Sequence, residues 1–382
     1  MASLPTCGYF AACALIAAGR LDPATQARMT WPPDEAPRRA AQALRFILAT
    51  HRPAPVPETR WEQDSPGTCC GSRPTAGSQR VPGTRTGQPP DRQPEQPPRV
   101  PKIAWGHHWG SGITIERIAN FVDLAKDSLP PDLYQAWLDM LACESDYQLN
   151  VRVEANRFSE KGETHGERNY WRGALLFRAA RLMPNHPSAQ AWLDKAASFF
   201  ANAMSTPEDA TSDVVMDGKP LRELHIGANA HPGCVFEHHG VFSSDYSVIN
   251  ASFHAMAMLG ALRNNWPVMD TLSLHQDDLW RVIRHLVLPG GRIACVGKQR
   301  PRYSIMYCYL MPVLALRMRG PDAAQAAEML QASFSLLQKD RDASGNGAFF
   351  SGRCQEGMER WNKDRPAYYY RLEADAILSL GL

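Results

Sequence analysis

The chain has 382 residues, 44% of them hydrophobic, which is apolar material enough for one large domain or two ordinary ones. Its 41 basic and 39 acidic residues leave a net charge of +2, so no global field draws it to nucleic acid or an anionic membrane, and any polyanion must be gripped locally. Nine cysteines, scattered singly apart from Cys69 and Cys70, form neither a disulfide framework nor the paired spacing of a zinc module, which fits a reducing compartment.

Tyr9 to Gly19 is an apolar run as long as a signal-peptide core. No Lys or Arg precedes it, as the basic start of a secretory signal requires, so it reads as a first buried helix in a cytoplasmic protein, with export as the alternative. No stretch reaches the roughly 18 apolar residues of a membrane span. Asp34 to Thr50 reads as a helix, with an N-cap Asp, Pro37 in the first turn, and Ala41, Leu44, Ile47 and Leu48 at helical spacing. Residues 1–50 are therefore expected to pack on the later domain. Between residues 51 and 102 the composition changes: twelve of the 30 prolines fall there, mixed with Gly, Ser, Thr, Gln and spaced Arg. This segment reads as an irregular or disordered insertion, and its arginines as solvated charge.

After Lys102, helix-length amphipathic segments are joined by short Pro-containing links: Leu129-Pro130-Pro131-Asp132, Pro184-Asn185-His186-Pro187 and Arg319-Gly320-Pro321-Asp322. Pro ends one helix and is tolerated in the first turn of the next, so such links fold consecutive helices back as antiparallel hairpins. The expected helices are 112–128, 132–148, 166–183, 187–204, 246–264, 274–287, 303–318, 322–339 and 366–381. They lack period-2 alternation, which argues against a β-sheet as a main element. Gln135-Ala136-Trp137-Leu138-Asp139 recurs as Gln190-Ala191-Trp192-Leu193-Asp194, each copy just after a Pro-containing helix start. The expectation is an all-α fold in which residues 103–382 form a helical-hairpin (α/α) toroid, single-domain or incomplete, with loops at one end lining a cleft.

Three segments concentrate polar and aromatic side chains beyond the needs of a helical core. The first is Trp105-Gly106-His107-His108-Trp109. The second runs from Gly162 through Glu163, Thr164, His165, Glu167, Arg168 and Asn169 to Tyr170 and Trp171. The third runs from Asn229 through His231, Glu237, His238, His239 and Gly240 to Asp245 and Tyr246. The third has the composition of a site that handles an acidic sugar by β-elimination. There a base removes the weakly acidic proton beside the uronic carboxylate and an acid protonates the departing oxygen, while Asn and His donors hold the carboxylate as charge spreads into it.

Asn229-Ala230-His231-Pro232, Glu237-His238-His239-Gly240 and Asp245-Tyr246 resemble the Asn/His-then-Tyr arrangement of the heparinase II/III-like and alginate lyases with (α/α) toroid domains. Glu167-Arg168-Asn169-Tyr170-Trp171 and Trp105-Gly106-His107-His108-Trp109 are similar in type to the cleft-lining segments of such toroids. The resemblance implies a polysaccharide lyase acting on an acidic polysaccharide or oligosaccharide. It implies His239 as the cleft histidine, Tyr246 as the catalytic tyrosine and Asn229 as a carboxylate neutraliser. His107, His108, Trp109, Glu163, Glu167, Asn169, His231, Glu237 and His238 are the expected substrate-binding residues. Arg302 and Tyr303, at a basic-aromatic helix start, are suited to an anionic sugar.

No nicotinamide, flavin or nucleotide is expected, for Ser344-Gly345-Asn346-Gly347 lacks the Lys-Ser/Thr of a phosphate loop. No metal ligand is assigned. Zinc is the alternative use of His225, His231, His238 and His239 with Glu237 or Asp245, although no HExxH spacing is present. Two other readings use the same scaffold. A glycoside hydrolase would oppose two carboxylates among Glu163, Glu167, Glu237 and Asp245, and a non-catalytic helical-repeat module would bind glycan or protein.

Overall fold

A computed structural model describes residue 10 and residues 13–19, 31–51, 105–108, 110–155, 164–238 and 240–286, the side chain of Asp245 apart, together with residues 288, 294, 296, 324, 331 and 335. The insertion at 52–102 and the helices expected at 303–318 and 366–381 lie outside the described residues. So do the link at 319–322 and all of 322–339 but residues 324, 331 and 335, which are helical.

The described chain is mostly helical. Helix α1 (Ala36–Ala49) carries Pro37 in its first turn and buries Ala36, Ala40, Ala43, Leu44 and Ile47 along one stripe. Thr50 ends it by donating its hydroxyl back to the carbonyls of Phe46 and Ile47. Helix α2 (Ser111–Ala125) tightens into a 3₁₀ turn (Lys126–Ser128), and Pro131 then opens α3 (Pro131–Leu149). One face of α3 is buried at Leu133, Trp137, Met140, Leu141, Glu144, Ser145 and Gln148, the three-and-four spacing of a core stripe.

Helix α4 (Gly166–Leu182) is buried on nearly every side, and it is the hub: α5 (Ala189–Ala201) packs along it most extensively, and α2, α3 and α7 (Ser244–Arg263) close the other faces. Small residues permit this. A Cβ on Gly112 of α2 would stand 2.5 Å from the carbonyl oxygen of Trp171, so only glycine lets α2 approach the α4 backbone so closely. The link between α4 and α5 is held by His186, whose ring stacks on Trp192 at 4.3 Å, and the Trp192 indole N–H reaches Asp146 of α3 at 2.9 Å. The internal echo is structural as well: Gln135 donates to Asp139 and Gln190 to Asp194, both at 2.9 Å, and Trp137 and Trp192 are both buried.

Strand content is small. Among the described residues there are two antiparallel hairpins, β1 (Val215–Met216) with β2 (Lys219–Pro220), and β3 (Glu237–His238) with β4 (Val241–Phe242). Asp217 and Gly218 both have positive φ, as a tight two-residue hairpin turn demands. A short α6 (Leu221–Leu224) follows β2, and α8 (Gln276–Arg284) packs on α7. Near the N-terminus, residues 13–17 are helical, and Phe10, Cys13, Ala14 and Leu15 join the main core. Among the described residues no helix is long and apolar enough to cross a membrane.

Candidate functional site

The second and third polar segments meet at the N-terminal end of α4. Thr164 N–H donates to the carbonyl of Glu237 at 3.1 Å, and His165 N–H to Asn229 Oδ1 at 3.0 Å, which ties the second segment to the third. Gly166 has no room for a side chain, because a Cβ there would land on the Ala203 carbonyl and within 2.9 Å of Asn250 Oδ1 on α7. The first segment is coupled to the same place electrostatically. His108, largely buried, is lowered to about 4, chiefly by that burial; Glu144 pulls the other way, and the charges of Arg168 and Arg172 add to the lowering. Its Nδ1 accepts from Gly110 N–H at 3.1 Å, so the neutral ring carries its proton on Nε2.

Asn169 and Asn229 lie side by side. Each gives its two amide hydrogens to the same pair of carbonyls, those of Glu154 (2.8 and 2.9 Å) and Asn202 (2.9 and 2.6 Å). Their oxygens accept from Glu154 N–H and His165 N–H. With both amide hydrogens committed to the backbone, Asn229 serves as a clamp that closes the loop onto α4, and the same holds for Asn169.

The charge that organises this end is Glu154, in the irregular stretch after α3. Its carboxylate accepts from Arg172 at 2.7 Å and Arg168 at 3.1 Å, and His165 Nδ1 stands 3.4 Å away. Burial pushes its carboxyl upward, but Arg172, Arg168 and His165 outweigh this and hold it at about 2. Two guanidiniums against one carboxylate leave a positive ledge, on which Arg168 and His165 are each 23% exposed while Arg172 is buried. Sequence reasoning passed over Glu154 because nothing periodic surrounds it. Arg168 and Arg172, one turn apart on an otherwise buried helix, were the signal that a buried anion must face them.

The third segment supplies the titratable and aromatic groups. His238 and Tyr246 stack at 3.7 Å with their planes 22° apart, and both are buried. Tyr246 stands in the first turn of α7, whose N-cap Ser243 accepts its backbone N–H. His231 and Glu237 form a more open pair at 3.2 Å. Glu167 is buried in the first turn of α4. Trp109, Glu163, His239, Arg302 and Tyr303 lie outside the described residues.

Among the described residues two groups of side chains are close enough to share a metal ion, and neither includes His225, His231, His238 or Glu237 of the alternative zinc set, whose His239 and Asp245 side chains lie outside the described residues. One group is His51, His107 and Glu144. The other is Cys234, His275 and Asp278. In the second, His275 bridges two carboxylates, Nε2 to Asp209 at 2.9 Å and Nδ1 to Asp278 at 3.3 Å, and these raise its affinity for protons although burial opposes it. Both ring nitrogens are thus already engaged by carboxylates. The Cys234 thiol beside it is pushed up to about 12, first by burial and then by Asp278 and Asp209, so it stays protonated and is no nucleophile. Comparison with protein-family models, with characterised proteins and with solved structures gives no match.

Proposed function

We propose that the chain is a carbohydrate-active lyase on an (α/α) toroid, cleaving a uronate-containing polysaccharide or oligosaccharide by β-elimination. The observation that carries this reading is the tie of residues 164–172 to residues 229–238 at one helix end, where Arg168 and Arg172 share a single carboxylate and the same third segment goes on to the His238/Tyr246 stack. In the reaction a base removes the proton on the carbon bearing the carboxylate, and the electron pair left behind forms a carbon–carbon double bond. The bond to the glycosidic oxygen breaks, and an acid returns a proton to that oxygen. No water or cofactor is consumed. His239 and Tyr246 take the proton-transfer roles that the family resemblance implies. The positive ledge of Arg168 and His165 replaces Asn229 as the group that steadies the carboxylate, because the Asn229 amide is committed to the backbone.

On this reading the chain works in a reducing, cytoplasmic setting, which the singly scattered cysteines of the sequence fit. The test is a scan of uronic polysaccharides and oligosaccharides for the ultraviolet absorbance of the unsaturated sugar product. A substrate that gives this signal with the wild type and loses it with His239→Ala supports the reading. Cleavage that yields only saturated ends rejects it in favour of hydrolysis.

A further inference from the structure

His51 closes the chain after α1, and His107 stands just before α2, so the two residues bracket the 52–104 segment. They meet on helix α3. His51 Nε2 is 3.1 Å from Glu144 Oε2, and His107 Nε2 is 3.9 Å from the same oxygen, a separation too long for a hydrogen bond. All three donor atoms lie within 4.8 Å of one another. In a tetrahedral zinc site, with metal–ligand bonds of about 2.0 to 2.1 Å, neighbouring donor atoms are about 3.3 Å apart. The two imidazole–carboxylate separations are already close to that spacing. It is also deep: the three side chains are 6%, 1% and 0% exposed.

The surroundings are built to aim these donors. Glu144 Oε1 accepts from the Ser111 hydroxyl and from Gln148 at 3.2 Å, which fixes the carboxylate plane. Gly106 and His107 both have positive φ, at 102° and 47°, and for His107 that conformation is unfavourable. It turns the backbone N–H and the imidazole of one residue toward one carboxylate, the N–H reaching Oε2 at 2.9 Å. Gly106 presses so closely on the imidazole that a Cβ would stand 2.5 Å from His51 Nε2. Cys143 Sγ, 3.5 Å from His107 Nε2, adds a soft donor beside the same point. Two imidazoles, one carboxylate and a nearby thiol suit zinc better than magnesium or calcium, which favour all-oxygen shells.

We propose that His51, His107 and Glu144 bind a zinc ion that fastens the two ends of the 52–104 segment to α3. The backbone already sutures this point, with Trp105 N–H donating to Thr50 O at 3.1 Å and the Trp105 indole to Ile47 O at 2.8 Å. An ion there would remove the closure entropy of a long intervening segment, and its binding energy would become folding energy. The proposal rests on this cluster's own geometry, and its test reads metal binding rather than turnover.

The test uses the full chain, stripped with chelator and then given zinc sulfate or cobalt(II) chloride alone. The expected result is one equivalent of tightly held zinc, a higher thermal midpoint with zinc, and the visible absorption of tetrahedral cobalt. Replacement of Glu144 removes several hydrogen bonds and risks unfolding, so His51→Gln and His107→Gln carry the test, with circular dichroism verifying helix content. Each should weaken zinc binding at least tenfold, roughly, whereas His225→Ala should bind as the wild type does. No retained zinc, or retention unchanged in both folded histidine variants, overturns the proposal. Binding that follows His225 instead overturns it as well.

Discussion

Arg178 meets Glu116 side-on, Nε to Oε1 at 2.9 Å and the second guanidinium nitrogen to Oε2 at 3.2 Å, and its remaining arm takes Asp123 at 2.7 Å. This buried contact joins α4 to α2. Burial lifts the Glu116 carboxyl above its usual range even with the guanidinium beside it. Arg178→Met should therefore cost about 3 to 5 kcal/mol at neutral pH, the typical result of leaving buried charge without its partner. Without Arg178 the folded-state value of Glu116 rises further, so the folded variant takes up a proton more readily than the unfolded chain. The deficit relative to the wild type should then shrink as pH falls from 7 toward 5. Urea unfolding midpoints at the two pH values measure it, and a deficit independent of pH would show that packing, not charge, dominates.

Gly260 on α7 faces the same guanidinium, and a Cβ at that position would land on the terminal nitrogen of Arg178. In an exposed helix, Gly→Ala gains about 1 kcal/mol in propensity. Here Arg178 cannot retreat without loosening Glu116 and Asp123, and overpacking of this kind costs about 1 to 3 kcal/mol. Gly260→Ala is expected to lower stability. Thermal unfolding decides the sign, and a gain would mean that the guanidinium shifts freely.

Glu154 contributes in the opposite pH direction. Its folded value, about 2, lies below the ordinary 4.5, so its stabilisation is complete above the unfolded value and is lost as pH falls toward 2. A shift of that size corresponds to about 3 kcal/mol. Glu154→Gln should lose about that much at pH 7 and progressively less toward pH 3, as read from urea midpoints. An equal loss at both would place the effect in packing.

His275 gives a window closed on the alkaline side. Its folded value is raised, burial opposing but Asp209 and Asp278 prevailing, so the contribution is complete below the unfolded value near 6.5 and is lost as pH rises through the folded one. Asp209, lowered by His275 against the pull of burial, loses its share only in acid. Besides these carboxylates, the Cys234 thiol donates to the His275 carbonyl at 3.8 Å and lies within 4.8 Å of a ring nitrogen, and Arg281 holds Asp278 from the solvent side. His275→Gln should cost about 1 to 2 kcal/mol at pH 6 and less at pH 9. A cost that grows toward pH 9 would mean that His275 is neutral in the fold.

The helices were legible where a sharp start meets a clean stripe. Pro131 opens α3, and Leu133, Trp137, Leu141 and Glu144 then follow one face; the repeated Gln-Ala-Trp-Leu-Asp buries Trp137 in α3 and Trp192 in α5. The two hairpins were not read, because two-residue strands cannot display alternation, although Asp217-Gly218 is a recognisable turn pair. At the candidate site, sequence identified the segments that meet but not the partners of their side chains. Nothing in the spelling of Asn229 says whether its amide faces a ligand or the backbone of Glu154. The His51–Glu144 contact was beyond reach for a different reason: its partners are 93 positions apart, so no local pattern links them.

Tyr246 offers the sharpest separation of chemistry from packing. Its ring stacks on His238 at 3.7 Å from within the first turn of α7, and Phe preserves that ring while removing only the hydroxyl. On the β-elimination reading, Tyr246→Phe should lower kcat by about 10² to 10⁴, the usual contribution of a positioned acid or base, with KM little changed. Thermal unfolding should stay close to that of the wild type, since the buried stack survives. His238→Ala removes the stack instead, and should lower the thermal midpoint as well as activity. Full turnover by Tyr246→Phe on a substrate that the wild type cleaves would remove the tyrosine from the reaction.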